Sequence, residues 1–126
     1  LKHDVLFIKS DNPSDWTTLC YQCDAIIAIR KNITSPYNDK PASKLINAIK
    51  LGIPIICGKE SAYVYEWKNY LQKTPSVRFV SSNVELEKEI IFVKNNITQL
   101  KQYIQTIQHV YSNKSFAERF YNNIIH

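Results

Sequence analysis

Four short apolar runs constrain the fold more than any other feature of this sequence. They are residues 4–8 (DVLFI), 25–29 (AIIAI), 54–57 (PIIC) and 77–80 (VRFV). Each is short enough for a strand and nearly apolar on both alternating sides, which is the mark of a strand covered on both faces. Such strands belong to parallel sheets, and parallel neighbours need long crossover connections. The stretches between the runs carry helical periodicity. The expected fold is therefore α/β: a Rossmann-like parallel sheet with helices on both faces, followed by C-terminal helices.

The helices can be read one by one. In DNPSDW, Asn12 can cap, Pro13 suits the first helical position, and Asp15 completes a capping-box-like pair. Trp16, Leu19, Cys20 and Cys23 then share one helical face. A second helix is expected from about Pro41 to Leu51, with Ala42, Leu45, Ile46 and Ile49 inward, and Gly52 and Pro54 stop it. A third runs from Glu60 to about Leu71, with Val64, Trp67 and Leu71 inward. Ser82 and Glu85 form a capping box for the next helix, whose stripe is Leu86, Ile90, Val93 and Ile97. After a kink near Asn95 and Asn96, the periodicity continues through Leu100, Ile104, Ile107 and Tyr111. Residues 113–125 read as a last amphipathic helix with Phe116, Phe120 and Ile124 on one side.

Composition narrows the class. The chain has 126 residues, 44% of them hydrophobic, and a formal charge of +5, which fits a single domain over residues 1–126. No apolar run approaches the roughly 20 residues of a membrane span. The opening LKHDVLFIKS lacks the form of a signal peptide. Three cysteines, an odd number beside a real core, point to a reducing, cytoplasmic compartment rather than a disulfide framework. The sequons at Asn32, Asn96 and Asn113 would matter only after secretion. No Met occurs, even at position 1, so a processed or partial chain is expected, with an inner strand as its first. The basic balance permits phosphate binding. Nucleic acid is disfavoured as a partner, because the lysines are spread along the chain without an aromatic-basic motif.

In an open parallel sheet, ligands sit at the carboxyl ends of the strands. Arg30 ends the second run, and residues 57–61 (CGKES) end the third. The polar loop between them, longer than most connections, delivers Lys40 to a helix start at Pro41. Asp39 could cap this helix, but with a start at Pro41 Lys40 holds the capping position, where it cannot accept a hydrogen bond. The first amides would be left open beside Lys40, Ser43 and Lys44, an anion site that needs no glycine-rich loop. Lys44 and Asn47 share a face away from Leu45 and Ile49. A cation there opposes the helix dipole, and an anionic ligand would compensate it. The plainer alternative is a solvated rim, with Glu60 and Ser61 as helix-start residues.

Taken together, CDAIIAIR and KPASKLINAIKLGIPIICGKESAYVYE resemble the C-terminal, donor-binding lobe of GT-B glycosyltransferases. There a Lys-Pro-x-x-Lys-Leu-like start, an apolar helix, Gly-x-Pro, a strand and a Gly-x-Glu-Ser-like turn occur in this order. The resemblance covers roughly residues 15–80. It implies a nucleotide-diphosphate sugar as substrate. Arg30 and Lys44 would neutralise the departing diphosphate, while Lys40, Ser43 and the amides after Pro41 hold phosphate oxygens. Asn47 or Glu60 would bond the ribose, and Gly58, Ser61 and Tyr63 would shape the base or ribose pocket. No cofactor and no metal is implied, since the cations do that electrostatic work. Retaining members carry a glutamate at each end of the segment, where this sequence has Asp39 and Asn47. The length leaves room for one lobe. The implied partner is an N-terminal acceptor-binding lobe on the same or another chain, and no catalytic residue is assigned here. The alternative is a noncatalytic Rossmann-like binding or scaffold module.

Other signals are weaker. Cys20 and Cys23 have redox-motif spacing but fall late on an apolar helix face, where core packing is the expectation. His3, His109 and His126 are scattered, which disfavours zinc. With two glycines, no phosphate loop of the Walker or dinucleotide type exists. Of the cluster Tyr63, Tyr65, Trp67 and Tyr70, most is expected in the core, with Tyr63 set apart beside the pocket. Phe116, Phe120 and Tyr121 are expected to offer an apolar contact to a second lobe.

Overall fold

The computed structural model describes residues 18, 20–30 and 40–125, with side chains placed through residue 119. The expected strand at residues 4–8, the capping pair of Asn12 and Asp15, and Asp39 all lie outside the described residues.

Three strands form a parallel sheet: β1 (Ile26–Ala28), β2 (Ile55–Gly58) and β3 (Val77–Val80), side by side in that order. The register pairs Ile26 with Ile55 and Ile55 with Val77. α1 (Ser43–Leu51) lies between β1 and β2 in the chain, and α2 (Ser61–Asn69) between β2 and β3. After β3 the chain is helical: α3 (Asn83–Asn95), α4 (Ile97–Ile107), a 3-10 turn (Gln108–Tyr111) and α5 (Asn113–Ile125). Among the described residues, then, the α/β class and the parallel sheet are as expected.

Alternation along the strands splits the core in two. Ile26, Ala28, Ile55, Cys57, Val77 and Phe79 face one way, onto α1 and α2 through Leu45, Ala48, Ile49, Tyr63 and Leu71. Ile56 and Val80 face the other way, onto Ile90 and Val93 of α3. The two faces are not equally apolar. Arg78 interrupts β3, laying its guanidinium 4.1 Å from the Phe92 ring centroid and pairing with Glu89. Ile27 is 36% exposed.

α4 joins the two cores. Leu100 packs with the α3 side, whereas Ile104 and Ile107 pack with the α1–α2 side. The crossing passes the amino ends of the strands. There the Ser76 hydroxyl donates to the Leu100 carbonyl at 2.6 Å. Gln108 Nε2 donates to the carbonyls of Ile49 and Lys50 in the last turn of α1. The helical tail thus closes the amino end of the sheet and leaves the carboxyl end to loops.

Local signals explain the boundaries. α1 stops at Gly52, whose φ of 77° is left-handed and whose N–H reaches the Ala48 and Ile49 carbonyls. α3 starts on Ser82, whose hydroxyl accepts from Glu85 N at 3.1 Å, while the Glu85 carboxylate accepts from Ser81 N. We expect Ser82→Ala to cost about 1 kcal/mol, read from urea unfolding at unchanged m-value. The break between α3 and α4 falls at Asn96, which serves both helices as a cap residue. Its Nδ2 donates to the Phe92 carbonyl at 2.8 Å, so the amide that a glycan would need is already held.

α2 corrects one expectation. Tyr63 is no exception to the core: it is 1% exposed and packs in the α1–α2 core, whereas Tyr65 is 56% exposed. The reason is the inward line of the helix, which runs through Tyr63 and Trp67, one turn apart and both packed in the α1–α2 core. Trp67 meets Phe79 edge-on at 5.3 Å and donates from its indole to the Thr74 carbonyl at 2.8 Å.

The tail is tied back onto α2 by Arg119. Its guanidinium lies 4.1 Å from the Tyr70 ring centroid and 4.9 Å from that of Phe116, with Nη1 3.7 Å from Glu66 Oε1. Phe116 also stacks on Tyr111 at 5.8 Å, so it is engaged within the domain although its edge is exposed. The side chains of Phe120, Tyr121 and Ile124 lie outside those described.

Candidate functional site

Three connections meet the carboxyl ends of the strands: the one leaving β1 at Arg30, residues 58–61 after β2, and Ser81–Ser82 after β3. The parallel register sets β1 and β2 level, with Ala28 opposite Cys57. Arg30 and Glu60, two and three residues further on, therefore come together. Arg30 Nε donates to Glu60 Oε1 at 2.8 Å. The pair is lopsided: the Glu60 side chain is 2% exposed and the Arg30 side chain 25%. The carboxylate faces the core and the guanidinium lies above it. The sequence alone suggests a separate ligand contact for each, and the strand register is the signal that joins them.

Glu60 is held by the turn after β2, where its N–H donates to the Gly58 carbonyl at 2.9 Å. It is also the N-cap residue of α2, yet its side chain makes no capping bond. Its carbonyl accepts from Val64 N and so opens the helix. Ser61 follows at the exposed start of α2.

The second element is the amino terminus of α1. The helix starts at Ser43, not Pro41, and its N-cap is Ala42, not Lys40. Ala42 is buried in the core, and that anchor sets where the turn begins. The consequence expected of Lys40 survives the shift. Ala42 offers no side-chain acceptor, and the first turn contains no acid. Lys40 precedes this turn and Lys44 stands in it, both exposed. Asn47 is exposed one turn further along, away from buried Leu45, Ala48 and Ile49. The start of α3, at the same end of the sheet, is capped by Ser82. Lys59, exposed at the end of β2, adds a cation that sequence reading left unassigned. Arg30, Lys40, Lys44 and Lys59 are thus set against Glu60 and Glu85 at this end.

Below the pair lie Cys57 and Tyr63. Burial first, then the charges of Glu60 and Cys57, push the Tyr63 hydroxyl from 10.0 up to about 12, against the pull of Arg30. Burial, then Glu60, pushes the Cys57 thiol above its usual 9.0. The folded chain therefore holds these protons where the unfolded chain releases them. Their stabilising effect is complete below about pH 9 and is lost as pH climbs through 10 toward 12. We expect the urea midpoint to fall between about pH 9 and about pH 12, and less steeply in Tyr63→Phe. An equal slope in that variant would exclude Tyr63 as a source.

Cys20 is buried and Cys23 half-buried, and neither is in a disulfide. Burial, then Cys23, raises the Cys20 thiol, the opposite of what a reactive thiolate needs. Among the described residues no group of three or more His, Cys, Asp or Glu could hold a metal ion, and no helix is long and apolar enough to cross a membrane. In comparisons with known proteins, the chain matches no family model, no curated protein and no solved structure.

Proposed function

We propose that this domain binds a nucleoside diphosphate at the carboxyl end of its sheet, as the donor-sugar lobe of a GT-B-like glycosyltransferase. The observation that carries the reading is the start of α1: an N-terminus with neither side-chain cap nor first-turn acid, flanked by Lys40 and Lys44, on the ligand side of a parallel sheet. Helix amides and lysines together favour a dianionic group there. The Arg30 guanidinium stands at the end of β1 on the same side of the sheet. In a transfer reaction this lobe would stabilise the charge that develops on the leaving diphosphate. The acceptor and the base that activates it would come from a second lobe.

A noncatalytic module is the second reading. It is favoured by the ion pair, because Glu60 already offsets part of the charge that Arg30 would give a ligand.

Lys44→Ala separates the two. Lys44 is exposed, so the variant should fold and melt as the parent does. On the donor-lobe reading it loses tenfold or more in affinity for a nucleoside diphosphate in calorimetric titration, about 1.4 kcal/mol. A folded variant that binds as the parent does removes Lys44 from the site.

A further inference from the structure

We infer that Glu60 is a positioning residue for Arg30: the buried carboxylate fixes the guanidinium at the end of β1 so that it meets the diphosphate and not the base or ribose. This deepens the donor-lobe reading and rests on it. Two independent observations lead here. The first is the asymmetry of the pair, with the carboxylate 2% and the guanidinium 25% exposed. A pair serving only to neutralise charge would be as well placed in water, whereas this one holds its acid in the core and its base toward the ligand side. The second is that Glu60 stands at the N-cap of α2 and does not cap it. The capping bond is forgone and the carboxylate is spent on Arg30, 30 residues away in the chain. The site supports the geometry on each side. The Gly58–Glu60 turn fixes the backbone of Glu60, and the last β1–β2 pair, Ala28 with Cys57, lies two residues before Arg30. Replacing a buried ion pair by apolar groups of similar volume often leaves stability unharmed. Stability is therefore a poor reason for keeping this one, and ligand geometry is a better one.

The test uses the full chain, two ligands and two variants. The ligands are the nucleoside diphosphate that the parent binds most tightly and inorganic pyrophosphate. The variants are Glu60→Gln, which keeps the shape and removes the charge, and Arg30→Met/Glu60→Met, which removes the pair. The inference expects Glu60→Gln, folded by circular dichroism, to lose tenfold or more in affinity for both ligands alike. It expects the double variant to melt no lower than the parent and yet to bind both ligands at least tenfold more weakly. A purely structural pair gives a double variant that regains the parent's affinity along with its melting point, which overturns the inference. Loss of nucleotide affinity with pyrophosphate binding unchanged overturns it too, because Glu60 would then touch the ribose directly. Should Glu60→Gln not fold, Glu60→Asp, which keeps the charge and draws it back from Arg30, takes its place with the same loss expected for both ligands, and unchanged affinity in that variant overturns the inference. A parent that binds no nucleoside diphosphate defeats the donor-lobe reading, and this inference with it. A parent that binds one, with Glu60→Gln unchanged, defeats this inference alone.

Discussion

Arg30→Ala should lower the unfolding free energy by about 3–5 kcal/mol at neutral pH, a large share of what a domain of this size has to lose. The cost is not the value of the salt bridge itself. Glu60 stays where it is, at 2% exposure, with the partner of its Oε1 gone. A carboxylate held out of water without its counter-charge is expensive, and the turn after β2 leaves it little freedom to swing outward. The same account expects Arg30→Met/Glu60→Met to recover that loss in full, because no charge remains to be desolvated. Urea unfolding of both variants checks this. A single Arg30→Ala that costs under about 1 kcal/mol would mean that Glu60 reaches solvent and that the pair behaves as a surface one.

Tyr111→Ala should be comparably severe, at about 3–5 kcal/mol. The residue closes the 3-10 turn and is buried between α5 and the α1–α2 core. Its ring stacks on Phe116, its hydroxyl donates to Glu66 Oε2 at 3.0 Å, and Arg119 lies over it at 5.6 Å. Truncation opens a cavity beneath α5 and takes a hydrogen bond from Glu66, whose other oxygen faces Arg119 at 3.7 Å. Tyr111→Phe isolates the polar part and should cost about 1–2 kcal/mol. If the two variants cost the same, the ring would carry none of the stability, and α5 would be fastened to α2 by its charges alone.

Much of the fold was legible because it is written in local signals. Val77–Val80 and the helix Asn113–Ile125 fall on the expected residues. Gly52 past the end of α1, the Ser82–Glu85 capping pair and the break at Asn96 are each decided by residues a turn apart. The helical stripe Leu100, Ile104, Ile107 and Tyr111 is wholly buried, although its last residue sits in a 3-10 turn. What the sequence concealed depends on neighbours far off in the chain. Ala42, not Lys40, holds the N-cap position of α1 without capping it, and its burial against the core is a fact about tertiary packing. Tyr63 turned inward with Trp67, one turn on, because the core under the sheet packs against that face of α2. Arg30 met Glu60 through the register of two strands. Arg119 found Glu66 and Tyr70 through the return of the tail across the amino end of the sheet. Lys44 and Asn47 were recognised as an exposed face from helical spacing alone, since that needs only the position of the core stripe.

The central claim is that the carboxyl end of this sheet takes a diphosphate, and the most direct measurement is a calorimetric titration of the folded chain with UDP, GDP, dTDP and CDP. The account predicts that one of them binds with one-to-one stoichiometry in the micromolar range, near −8 kcal/mol, and that Lys44→Ala binds it at least tenfold more weakly. The contradicting result is a chain, folded by circular dichroism, that gives no heat with any of the four. Binding of all four alike, falling steeply with salt and matched by any polyanion, would contradict the account as well and point to net charge in place of a site.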